Sequence, residues 1–240
     1  MTLSKKLWQL PLSFLWLANS CSMVSAIPKG KSEPHLRKPL PADGYGRYTW
    51  VDGSKYDGYW KNGKREGEGT NEYANGDVYK GQWHNDVMEG EGKMNWADGE
   101  VYEGSWKNGE QSGYGVYKTI DGSVYKGNWK KNLQDGEGTF TWYNGDEYVG
   151  DFKSGYMHGY GTYTFGNPFY GKYEGQFKYN LQNGKGTQTY GWRYGNPYKV
   201  YEGDWVNDYR HGYGKLTYNG GRVKEGNWYK SVFYGEFSIY

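Results

Sequence analysis

The chain has 240 residues with 29 basic and 27 acidic side chains, and its apolar content is carried by 28 Tyr, 12 Trp and 8 Phe set against 40 Gly. Such a balance excludes a global electrostatic attraction to nucleic acid. Glycine without a collagen period would suit disorder, but disordered chains are poor in aromatics. Glycine and rings at fixed offsets indicate short strands and tight turns instead.

Residues 1–26 open with Lys5 and Lys6, continue through an apolar run from Leu7 to Ala18 and end on Val24-Ser25-Ala26. A basic start, a short apolar stretch and a small-residue exit read as a secretory signal peptide, the run being too short for an ordinary membrane span. That reading implies a secretory-pathway destination, with a plastid or a membrane-anchored location as alternatives. Ala18-Asn19-Ser20-Cys21 is a degenerate lipoprotein box and a weaker match. Cys21 is the only cysteine, so cleavage after Ala26 leaves no disulfide, thiol nucleophile or cysteine-bound zinc. It would also leave 27 basic against 27 acidic residues. Residues 27–42 carry Pro28, Pro34, Pro39 and Pro41 among basic residues and read as an extended linker.

From there to residue 240 the chain is a repeat array. Tyr-x-Gly-x-Trp begins at Tyr56, Tyr79, Tyr102 and Tyr125; Phe152 and Phe177 replace the tryptophan after Tyr148 and Tyr173, and Trp205 restores it after Tyr201. A last copy begins at Lys224 and ends at Trp228. A fixed period of this size marks units that bury an apolar face only against their neighbours. In one unit, Tyr79, Gly81 and Trp83 share a strand face, and Gly92, Met94 and Trp96 share another. Asn75-Gly76, Asp98-Gly99, Asp121-Gly122, Asn144-Gly145 and Asn219-Gly220 read as two-residue hairpins with positive φ at both positions. The other connection, Lys61–Gly67, reads as the longer one. Glycine pairs follow it at 67/69, 90/92, 113/115, 136/138, 159/161, 184/186 and 212/214. They suggest backbone closed to Cβ or a slot for an aromatic ring, with Gly58 and Gly81 as the favoured slots. The sum is an all-β, elongated, single-layer antiparallel meander of about eight hairpins.

Two units are longer, each by an insertion that falls at the tight hairpin and contains Gly-Asn-Pro: Phe165–Gly171 and Trp192–Tyr198. Insertions in repeat proteins gather on one face, so Phe169, Tyr170, Trp192, Tyr194 and Tyr198 are candidate binding residues; packing of the same rings on the sheet is the structural alternative. The final unit ends in Val232, Phe233, Phe237 and Ile239, which would cap the sheet or dimerise it end to end.

His158 and His211 share an offset two units apart, too far for one metal, and read as loop residues. The Gly-x-Gly strings lack the third glycine and the helix of a dinucleotide site. No catalytic constellation is legible, and no cofactor is expected.

The Tyr-x-Gly-x-Trp-x-x-Gly-x-x-x-Gly-x-Gly pattern, complete at Tyr56–Gly69, resembles the MORN (membrane occupation and recognition nexus) repeat over residues 43–240. The resemblance implies a β-meander curved into an aromatic groove and a role as scaffold, dimerisation module, or binder of helical peptides or acidic phospholipids. The expectation is a non-enzymatic scaffold holding a protein or peptide partner through Tyr56, Trp60, Tyr79, Trp83, Tyr102, Trp106, Tyr125 and Trp129. One alternative is an anionic membrane surface met by Lys61, Lys64, Arg65, Lys107, Lys130 and Lys131. Another is carbohydrate stacked on exposed rings.

Overall fold

The computed structural model describes residues 39–167, 170–191 and 196–235. Every described strand belongs to the unit Pro41–Tyr240. The expected signal peptide and residues 27–38 of the linker lie outside the described residues, as do 236–240 at the end of the last unit.

The described chain forms 17 strands and no helix. Each strand pairs antiparallel with the next, from β1 (Gly44–Thr49) through β2 (Lys55–Lys61) and β3 (Lys64–Glu72) to β16 (Val223–Tyr229) and β17 (Val232–Gly235). This is the expected single-layer meander. Among the described residues no second sheet covers it, and its own rings form the core.

The structure exchanges the two expected turn types. The two-residue turn is Asn62-Gly63, with φ of 51° and 70°, between the paired Lys61 and Lys64. Asn85-Asp86, Asn108-Gly109 and Asn207-Asp208 repeat it with positive φ at both residues, the type I′ signature. The Asn75-Gly76 connection is a three-residue loop. Gly76 donates its N–H to the Tyr73 carbonyl and Tyr73 donates to Asp77, with only Gly76 at positive φ. Asn75 instead accepts the Asp77 N–H through its side chain, an Asx turn that keeps it right-handed. Both insertions therefore extend the three-residue loop, not the tight hairpin.

The ring slot is shared by two strands, with the ring closest to the second glycine of each pair: a Cβ on Gly69 would lie 2.5 Å from Tyr56 Cε2, and one on Gly115 would lie 2.5 Å from Tyr102 Cε2 and Cζ. Gly58, the expected slot, lies across from Gly69, its Cβ position 2.6 Å from the Tyr56 hydroxyl and 2.5 Å from the Gly69 Cα. The first glycine of the pair lies in a bulge, between the pairs Gly58↔Gly69 and Trp60↔Arg65, and Gly67 there has a φ of 66°. The bulge takes Tyr59 out of the ladder, and the Tyr56 hydroxyl donates to its carbonyl at 3.2 Å. The ring that fills the slot thus satisfies the carbonyl that the bulge leaves free.

Coupling between units comes from the tryptophans. Trp83 Nε1 donates to the Gly69 carbonyl of the preceding unit at 3.3 Å, and Trp106 does the same to Gly92 at 3.1 Å. Each slot tyrosine from Tyr56 to Tyr201 stands edge-to-face between two rings of this row, Tyr79 with Trp83 at 5.0 Å and with Trp106 at 5.3 Å, and Tyr148 with Phe152 and Phe177 at 5.1 and 5.0 Å. Pairs of this geometry add about 0.5–1.5 kcal/mol each beyond buried area. Their repetition stabilises a sheet that has no other layer.

Candidate functional site

The centre of the aromatic face is filled by its own packing. Tyr79, Tyr102, Tyr125, Tyr148, Tyr173 and Tyr201 are 0% exposed. Burial pushes the Tyr56 hydroxyl up to about 12, with Arg65 pulling the other way. These phenols stay protonated and act as donors to bulge carbonyls.

Surface remains along the side of this face nearest the three-residue loops. Trp50, Tyr73, Trp96, Phe165, Tyr190 and Tyr198 are half-buried there. Beside these rings runs one side-chain position per unit, two residues before the slot tyrosine and therefore on the same face. It is occupied by Ser54, Asp77, Glu100, Ser123 and Asp146, is vacated by Gly171, and then carries Lys199 and Arg222. The members from Asp77 to Asp146 are acceptors. Asp77 accepts the Ala97 N–H at 2.8 Å, Ser123 the Tyr143 N–H at 3.0 Å and Asp146 the Gly166 N–H at 2.7 Å, each clamping the next loop. Glu100 accepts the Tyr117 hydroxyl, and burial raises its carboxyl above the usual range. Lys199 and Arg222 cannot accept. The Pro197 carbonyl takes the Asn219 N–H at 2.8 Å instead.

Two arginines share one offset near opposite ends of the face. The Arg65 guanidinium lies 4.0 Å from the Trp83 ring centre. It donates to Asn71 Oδ1 at 2.9 Å, Asp86 Oδ1 at 3.2 Å and the Asp86 carbonyl at 3.0 Å. Arg210 lies 4.5 Å from Trp228 and 5.5 Å from Tyr198. It donates Nη2 to the Ser231 carbonyl at 3.2 Å, and its buried Nη1 has no partner. Leu216 and Ser231 stand where the first arginine has Asn71 and Asp86.

The eight expected ring residues all lie on this face, at 0–6% exposure from Tyr56 and Trp60 through Tyr79, Trp83, Tyr102 and Trp106 to Tyr125 and Trp129. Tyr170 is 42% exposed with its ring 6.0 Å from Phe165, and Tyr198 packs between Tyr190 and Tyr218 at 5.6 and 5.5 Å. Phe169, Trp192 and Tyr194 lie outside the described residues. Of the candidate cations, Lys61, Lys64, Lys107, Lys130 and Lys131 are exposed. Arg65 is not: it is 8% exposed and bound within the fold, so it offers no free charge to a membrane. His158 and His211 sit on β11 (Tyr156–Thr164) and β15 (Tyr209–Tyr218), not on loops, against Tyr179 and Tyr229.

Sequence reasoning missed the solvent-facing rings of the opposite face. Tyr45, Tyr114, Tyr160 and Tyr213 stand between the two glycines of their pairs and are 52–65% exposed. Period-two alternation places a residue between two inward glycines outward, so the signal was there.

Two solved structures resemble the chain weakly. One is the TCP domain of SAS-4 (dCPAP) from Drosophila melanogaster in complex with a proline-rich motif of Ana2 (dSTIL): TM-score 0.39, 14% identity, 84% of this chain and 99% of that one covered. The other is the G-box domain of the microcephaly protein CPAP: TM-score 0.36, 12% identity, 78% and 100% covered. No curated protein matches the chain. The MORN repeat profile matches eight times, at residues 42–55, 56–78, 79–101, 102–124, 125–147, 148–167, 173–193 and 201–221. With the ring slots, bulges and meander in place across those units, the chain belongs to the MORN repeat family.

Proposed function

We propose that the protein is a non-enzymatic interaction scaffold that docks a protein or peptide partner on its aromatic face. The observation that carries this reading is the row of half-buried rings, Trp50, Tyr73, Trp96, Phe165, Tyr190 and Tyr198, laid over a core already filled. Rings that keep surface while their neighbours keep none supply apolar area and hydrogen-bonding edges to a partner. The central tyrosines and tryptophans fill the core beneath them. Affinity capture with the full chain, compared with Trp96→Ala and Tyr73→Ala, tests this. Partners retained by the wild type and lost by both variants support it; identical capture by all three sinks it.

A second reading rests on a different observation. Lys61, Lys107, Lys130, Lys153 and Lys178 occupy one offset beside the two-residue turns, and all are exposed. A lysine row of this kind suits an anionic membrane surface, although Glu66, Glu89 and Asp135 accompany it. No helix among the described residues is long and apolar enough to cross a membrane. Salt-sensitive sedimentation with phosphatidylserine vesicles, abolished by charge reversal at Lys107 and Lys130, would favour this reading.

A further inference from the structure

The aromatic face changes sign along the array. In the early and middle units its ring row is accompanied by Asp77, Asp86, Glu100 and Asp146. In the last two complete Tyr/Lys-to-Trp units the same face carries Lys199, Arg210, Arg222 and Lys224. Among the described acids of that region, Asp208 keeps the offset of Asp86 and is used by the fold, accepting the Gln182 N–H at 2.8 Å, and the others are on the other side of the sheet. Glu202 and Asp204 alternate with Tyr201 and Trp205, and Glu225 alternates with Lys224, so all three point away from the rings. Asp204 pairs there with Lys185 at 2.6 Å.

The fold gives these cations rings and one carbonyl but no carboxylate: Lys224 lies 5.4 Å from the Phe233 ring centre, and Arg210 donates to the Ser231 carbonyl. None forms an ion pair among the described residues. Lys199 and Arg222 replace the acceptors that clamp the next loop in earlier units. Lys224 replaces a slot tyrosine. Arg210 keeps a buried Nη1 without a partner, whereas Arg65 at the same offset meets Asp86 and Asn71. Rings accompany the charges: Arg222 lies 4.0 Å from the Tyr218 ring centre, and Tyr198 stands between Tyr190 and Tyr218. Cations gathered over aromatic surface, with no acid among the described residues in the row of Lys199 and Arg222, are complementary to an anionic ligand that also offers apolar atoms.

We infer that the aromatic face around Lys199, Arg210, Arg222 and Lys224 seats an acidic segment of a protein partner. This rests on the protein-docking reading and names the chemistry of one end of that surface. Carboxylates of the segment pair with Lys199 and Arg222, which are exposed. Arg210 reinforces the positive field from beneath and holds a spare N–H. Tyr190, Tyr198 and Tyr218 take the apolar portions of the segment. The earlier units, with acids in the same row, disfavour the same ligand, so a partner would lie along the face in one direction.

The test uses the full chain and a fluorophore-labelled octaglutamate peptide, read by anisotropy at low salt, with octalysine as the opposite-charge control. Binding of octaglutamate but not octalysine is expected. Arg222→Glu and Lys199→Glu should each weaken it by about fivefold or more, since each reverses a surface charge at the seat. Lys80→Glu, on the other face, and Arg65→Gln should leave it unchanged. Arg210→Gln should also weaken it; if that variant misfolds by circular dichroism, the two exposed sites decide. Absence of octaglutamate binding, or equal loss with Lys80→Glu, overturns the inference. Binding to phosphatidylserine vesicles without binding to the peptide overturns it in favour of a membrane. Partner capture that depends on Trp96 and Tyr73 but not on Arg222 would leave the scaffold reading standing while this inference fails.

Discussion

Arg65 and Arg210 occupy one repeat offset, each over a tryptophan, yet their surroundings differ. Asp86 and Asn71 use up the first guanidinium; Ser231 and Leu216 leave the second with an unpaired N–H. The repeat fixes where a side chain goes and which ring lies beneath it. The residues one unit on, or six further along the strand, decide whether its charge is consumed by the fold or offered to a ligand. The two ends are thus the same geometry with different chemistry.

The comparison presupposes that the ring slot makes the geometry equal everywhere. Gly115→Ala would break that premise in the middle of the array, because its Cβ would fall 2.5 Å from Tyr102 ring atoms that are locked between Trp106 and Trp129. A loss of about 3 kcal/mol is expected in urea denaturation, from overpacking that no rotamer relieves. Combining it with Tyr102→Ala should cost less than the sum of the two, since the ring that clashes is then gone. Additive losses would mean that the glycine serves the backbone alone.

Removing the partner at each end tests the contrast itself. Asp86→Ala leaves the Arg65 charge buried without its carboxylate, one of the three acceptors of the guanidinium. About 2 kcal/mol is expected, less than for a fully buried pair because the Asp86 side chain is 44% exposed. Ser231→Ala removes one hydroxyl contact and should cost under about 1 kcal/mol. Ser231→Asp runs the comparison in reverse. It gives Arg210 the carboxylate that Arg65 has, at a position where Asp86 and Asp208 already adopt φ of 70° and 66°. A gain of about 1 kcal/mol is expected, together with weaker octaglutamate binding. Stabilisation without any change in binding would separate Arg210 from the acidic seat.

Much of this was legible in the sequence. The period, the strand faces, the meander and the Tyr–Gly–Trp core follow from residues whose spacing admits one reading. The turn types were not, because Asn-Gly occurs in both connections: Asn62-Gly63 and Asn75-Gly76 are the same dipeptide in different turns. The bulge decides between them by setting the register, and a bulge leaves no mark beyond the glycine it needs. It also decides which glycine receives the ring. The switch of sign on the aromatic face was written in Asp77, Glu100, Lys199 and Arg222, but it becomes visible only once those four are known to share one row.

That row offers a pH test. Burial raises the Glu100 carboxyl in the folded protein, so folding favours the protonated form. As pH rises out of the ordinary glutamate range, the unfolded chain releases its proton first. Stability therefore falls until the folded carboxyl also ionises, and the contribution present at low pH is lost. Glu100→Gln keeps an acceptor for the Tyr117 hydroxyl and should flatten this part of the melting-temperature profile, with a higher Tm above it. Wild-type stability that climbs through the same window would show the Tyr117 hydrogen bond outweighing the burial.

The smallest effect is expected where the array has no preceding unit. Gly46 is a slot glycine whose tyrosine would fall in residues before the sheet, and Pro41 fills the slot instead, 2.6 Å from where a Cβ would sit. Trp60 Nε1 still reaches the Gly46 carbonyl at 3.0 Å, so β1 is tied to the array through that bond and its pairing with β2. Pro41→Gly removes the nearest filler of the first slot among the described residues and frees the chain that enters β1. Because each unit leans only on its neighbours, the loss should stay local: faster hydrogen exchange at β1 amides, unchanged exchange beyond β3, and under about 1 kcal/mol in global unfolding. If exchange instead accelerates as far as the Tyr79 strand, the slots are coupled over longer range than edge-to-face pairs can carry, and the end-to-end independence on which the two-arginine comparison relies is lost.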